Sequence, residues 1–150
     1  MFCAHRARLA SAGGLAVTEA KQWRINIAST TSGGWPSARE IELRQSFGGA
    51  DVTTTTALLN GTGTSAAALF DGNTASDYGF GGVAPKYVDV NCSSVGEIVE
   101  MQFISGTAVG DSFKTGSLLY WNGNDWVSHW SFTVSPSVSA AGQTKVVQKP

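Results

Sequence analysis

Asp71, Asn73 and Ser76 place three oxygen-bearing side chains within six residues, beside Gly72. Clustered oxygens on a tight turn suit a hard cation such as Ca²⁺, which takes about 6–8 oxygen ligands. The same residue types also build Asx turns, in which the side chain accepts a hydrogen bond from its own backbone two residues on. A second group is aromatic. Tyr78, Phe80 and Trp121 fall beside expected loops, where a ring either stacks on a sugar or packs the end of a core. His129 alternates with Trp130 and reads as a solvated strand residue, whereas Trp23, Trp126 and Trp130 read as core.

Catalytic chemistry finds no anchor in the sequence, and no catalytic residue is nominated. The chain has two His and lacks G-x-S-x-G and H-E-x-x-H. Its 11 acidic residues nominate no pair for glycoside cleavage. The run from Gly61 to Ala66 fits G-x-G-x-x-A but lacks the strand–helix context that a dinucleotide site needs. Asn60-Gly61-Thr62 and Asn91-Cys92-Ser93 are formal glycosylation sequons, read here as chance. Cys3 and Cys92 define no disulfide framework or metal knuckle and read as free thiols.

The elements that must position these residues are strands. Trp23, Ile25 and Ile27 alternate with Arg24 and Asn26; Ile41 and Leu43 with Glu40, Glu42 and Arg44; Val88, Val90 and Cys92 with Tyr87, Asp89 and Asn91. Val99, Met101 and Phe103 share one expected face, and Trp126, Trp130, Phe132 and Val134 another. Period-two alternation marks half-buried antiparallel strands. Gly33-Gly34, Gly48-Gly49, Gly81-Gly82 and Asn122-Gly123 punctuate them. Asn122 to Asp125, between Tyr120-Trp121 and Trp126-Val127, predicts a hairpin loop. The fold class is therefore all-β: an antiparallel β-sandwich or jelly roll of residues 21–150. Residues 1–20 are set apart as a short N-terminal arm. His5, Arg6 and Arg8 precede its apolar stretch in the loose manner of a signal peptide, but the arm is read as an assembly element.

Composition narrows the partners. Ten Lys and Arg face 11 acids, and charged residues make up 14% of 150, about half the usual share. A surface so poor in cations argues against nucleic acid. No apolar run is long enough to span a bilayer. The 18 Gly suit short strands and tight turns.

Three segments together resemble the discoidin family, the coagulation factor 5/8 type C or galactose-binding-like domains. They are Ala68-Leu69-Phe70-Asp71-Gly72-Asn73, Pro85-Lys86-Tyr87-Val88-Asp89-Val90, and the hairpin strand from Leu118 to Trp126. A fourth, Trp23 to Ile27 followed by Trp35-Pro36-Ser37-Ala38-Arg39-Glu40-Ile41, is similar to the closing hairpin of the family. It precedes the DGN segment here, as a circular permutation would place it, and looks like the permuted domains of bacteriophage tail and fibre proteins. The resemblance implies a structural Ca²⁺ in the DGN loop, completed by the Glu40 carboxylate and the Arg39 carbonyl. It implies that Trp23–Ile27 pairs antiparallel with Glu40–Arg44 within the same sandwich.

The function it implies is that of a virion protein, in a tail fibre or tail tip, binding host-surface glycan or bracing its neighbours in many copies. The arm would engage other virion proteins, with no nucleic acid and no membrane insertion. A capsid decoration protein without ligand and a bacterial carbohydrate-binding module are the rival expectations.

Overall fold

The computed structural model describes residues 14–59 and 66–150. Among them are nine strands: β1 (Gln22–Thr30), β2 (Ser37–Arg44), β3 (Thr53–Leu59), β4 (Tyr78–Gly79), β5 (Lys86–Cys92), β6 (Glu100–Ser105), β7 (Phe113–Trp121), β8 (Trp126–Thr133) and β9 (Thr144–Gln148). One sheet has the order β3-β5-β1-β7-β8 and the other β4-β2-β6-β9. Every pairing is antiparallel, and the sheets pack as a sandwich.

Alternation explains the core. Trp23, Ile25 and Ile27 are fully buried, as are Val88 and Leu118 on the flanking strands. They meet Ile41, Leu43, Met101 and Phe103 from the opposite sheet in one cluster. Burying side chains of this size stabilises the fold by about 1.5–3 kcal/mol each. Phe113 lies between Phe103 and Phe80, with ring centroids 4.8 and 5.7 Å away. Gly116 faces the same interior. A Cβ there would collide with the Asn26 carbonyl and the Phe132 ring, so only glycine lets β7 approach β1 this closely. Cys92 is a free, buried thiol. Burial pushes its pKa up to about 12, leaving it protonated and unreactive. Cys3 lies outside the described residues.

The expected pairing of Trp23–Ile27 with Glu40–Arg44 is corrected. β1 lies between β5 and β7, whereas β2 lies between β4 and β6 in the other sheet. Both edges of β1 are already hydrogen-bonded, so the chain must leave the sheet. It does so through residues 31–36, where Gly33 takes a φ of +80° and Thr30 Oγ1 donates to the Gly34 carbonyl at 3.1 Å. Both strands nonetheless belong to one sandwich.

A second correction concerns β8. Leu119 lies opposite Ser128 but Leu118 lies opposite Trp130, which leaves His129 as an extra residue. This bulge turns His129 inward, with its ring 5.5 Å from Trp23 and only 9% of the side chain exposed. The solvated reading of His129 therefore fails. The bulge also breaks the expected common face: Trp130, Phe132 and Val134 are buried, while Trp126 sits on the outer face, opposite Trp121.

Residues 1–13 of the expected arm lie outside the described residues. The rest runs along the sandwich. Leu15 donates its amide to the Asn122 carbonyl at 2.6 Å, and Ala20 is fully buried.

Candidate functional site

Two regions gather the residues capable of recognition: the DGN loop with the strand behind it, and the outer face of the five-stranded sheet.

The DGN loop follows a one-turn 3-10 segment, Ala66–Leu69, whose Ala66 and Leu69 are buried. Anchored by those side chains, the chain turns at Gly72 with a φ of +76°, a conformation that favours glycine. Asp71 Oδ1 accepts from the Asn73 amide at 2.8 Å, and Asn73 Oδ1 accepts from the Ala75 amide at 3.1 Å. The Asx turns are thus present, each using one side-chain oxygen. Behind the loop, Glu40 is 4% exposed, and its Oε2 accepts from the Gly72 amide at 3.1 Å. Burial pushes the Glu40 pKa up to about 7, opposed by the Gly72 amide and reinforced by the nearby Asp71, Asp51 and Glu42 carboxylates.

A buried carboxylate facing acidic neighbours holds its charge poorly unless a cation or a proton joins it. Glu40, with Asp71 close enough to raise its pKa, therefore fits a hard cation in its donor chemistry. Ser76 is partly buried further along the loop. The Arg39 side chain belongs elsewhere. It is the extra residue of a bulge between Ala38 and Glu40, and its guanidinium runs toward Gly142. Among the described residues no three His, Cys, Asp or Glu side chains converge. Asp77 went unnoticed in the sequence; its Oδ2 accepts from the Thr107 amide at 2.7 Å and ties the loop to the end of β6.

The three expected ligand rings separate. Phe80 is fully buried, edge-on to Phe113. It is corrected to a core residue, because its amide donates to the Pro36 carbonyl and draws the segment onto β2. Tyr78 is partly buried against the core. Trp121 reaches the outer face of the five-stranded sheet and lines a groove of about 580 Å³ with Leu15, Gln22, Thr56 and Asn91. The Asn122–Asp125 hairpin positions it: Asn122 Oδ1 accepts from the amides of Asn124 at 2.9 Å and Asp125 at 2.8 Å.

Alongside lies a smaller hollow of about 180 Å³, lined by Gln22, Thr56, Asp89, Asn91 and Trp126. The two share Gln22, Thr56 and Asn91. Next to them Arg24 makes a two-pronged ion pair with Asp89, at 2.6 and 2.8 Å. Its guanidinium stacks 3.7 Å from the Tyr87 centroid and 4.3 Å from that of Trp126. Sequence alternation could have disclosed this face, since Gln22, Arg24, Tyr87, Asp89 and Asn91 are the outward members of β1 and β5. Trp35, 58% exposed, follows the opposite end of β1. No helix among the described residues is long and apolar enough to cross a membrane. No protein-family model, curated protein or solved structure matches the chain.

Proposed function

We propose that this chain is a binding module of a bacteriophage particle, a tail-fibre or tail-tip component whose sandwich holds host-surface glycan. Its role is recognition and not catalysis. The observation that carries this reading is the seating of Glu40 against the DGN loop, at Oε2 to Gly72 N. Glu40 and Gly72 are 32 residues apart in sequence, in two of the segments that carry the resemblance. The charge-poor composition agrees with a neutral ligand. The Ca²⁺ at Glu40 and Asp71 would be structural, tying β2 to the loop. Residues 1–13 would dock on other particle proteins.

The test is an array of bacterial surface polysaccharides, probed with the full chain in Ca²⁺ and compared with adsorption to intact cells. Selective binding to one polysaccharide, and competition of cell adsorption by that polysaccharide, are expected. A chain that binds none of them while still assembling into particles would return the function to capsid decoration.

A further inference from the structure

We infer that the outer face of the five-stranded sheet, and not the loops at the sandwich ends, holds the saccharide. This rests on the glycan-binding reading above and assigns its site. The ligand class is a neutral, extended oligosaccharide lying across β3, β5, β1, β7 and β8.

The argument begins with charge. Arg24 and Asp89 neutralise each other through two short hydrogen bonds. Glu19 and Lys21 bring opposite charges to the larger groove. The face therefore has no net field to attract phosphate or sulfate, and an uncharged ligand loses least in displacing water from it. Rigidity comes next. Arg24 is fixed by Asp89 and by two rings, so the surface beside the smaller hollow, where Asp89 and Trp126 lie, is organised before any ligand arrives and little ordering entropy remains to be lost there on binding.

The chemistry of the lining then selects sugar. Trp121 offers an aromatic plane, which suits the C–H face of a pyranose. Gln22 and Asn91 each carry a donor and an acceptor, and Thr56 adds a hydroxyl. All three line both hollows, where their polar groups suit ring hydroxyls. Such a mixture of one apolar plane and adjacent amides matches a molecule that is apolar on its faces and polar around its rim.

Shape sets the length. Strands about 4.8 Å apart make a five-stranded sheet about 19 Å wide, and the two hollows adjoin through shared residues. That path accommodates several sugar units in a row. Leu15 and Glu19, just before β1, also line the larger groove.

The experiment takes the polysaccharide bound best on the array and titrates its oligosaccharides against the full chain, by calorimetry and tryptophan fluorescence. Trp121→Ala and Asn91→Ala are each expected to weaken binding about tenfold or more, with thermal melts near that of the wild type. The fluorescence change on binding should shrink in Trp121→Ala, leaving the part contributed by Trp126. Trp35→Ala, at the other end of β1, should bind as the wild type does. Wild-type affinity in both groove variants overturns the site while leaving the glycan function standing. Loss of binding in Trp35→Ala alone transfers the site to the loop end. A wild type that binds nothing on the array overturns both readings. If Trp121→Ala changes the mass of the particle in light scattering without changing sugar binding, the face is an interface between copies and the proposal falls.

Discussion

Glu40 concentrates the electrostatic tension of the molecule in one side chain. Its carboxyl ionises near pH 7 in the folded chain, against an ordinary value of 4.5. Folding therefore takes up a proton between those two values. The contribution of Glu40 to stability is fully present below about pH 4.5 and is lost as pH rises through about 7. The cost of the ionised form above that is about 3 kcal/mol. Glu40→Gln, measured by urea unfolding in chelator, should be more stable than the wild type at pH 8 and about equal to it at pH 4.5. A cation bound there would offset this penalty by replacing the proton. Ca²⁺ should raise the melting temperature of the wild type more at pH 8 than at pH 5, and leave Glu40→Gln unmoved. An identical Ca²⁺ response in the two proteins would remove Glu40 from the site. Phe80 makes the complementary case. With its ring closed in against Phe113, Phe80→Ala should cost about 3–5 kcal/mol of stability in denaturant unfolding.

At the scale of elements, what the sequence disclosed and what it withheld divide along a physical line. Alternation specifies which side chains face inward, and Trp23, Ile25, Ile27, Val88 and Val90 all do. It carries no information about which strand lies alongside, because a strand with a good inner face packs equally well beside several partners. Hence β1 and β2 were recognisable as strands while their assignment to one hairpin was wrong. The Asn122–Asp125 turn was legible because its residues fix it locally, with Asn122 Oδ1 holding two amides. The bulge at His129 was not, since one unpaired residue is set by the neighbouring strand and leaves no mark in composition. That single slip moved Trp126 from core to surface, where it lines the smaller hollow. The DGN loop was legible for the same local reason as the hairpin. Glu40 was found only through the resemblance, for nothing near position 40 shows that a loop 32 residues later will cover it.

Across the whole molecule, the residues leading into β1 and those leaving β9 meet the same short segment. Gly96 donates its amide to the Ala20 carbonyl at 2.9 Å, and Lys149 donates its amide to the Val99 carbonyl at 2.8 Å. On the proposed reading of the N-terminal residues as an assembly arm, removal of residues 1–13 should leave the melting temperature within about 2 °C of the full chain, a shift smaller than 1 kcal/mol produces in a domain of this size. The shortened chain should fail to enter particles, as read by sedimentation of assembled material. A large drop in melting temperature would make those residues part of the fold. The position of β1 has a mechanical consequence. It is the first strand of the described chain, and it is held by ladders to β5 on one edge and β7 on the other. A tether pulling from residue 21 along the strand loads both ladders in shear, many hydrogen bonds sharing the force at once, whereas a pull across a sheet edge would peel them one by one.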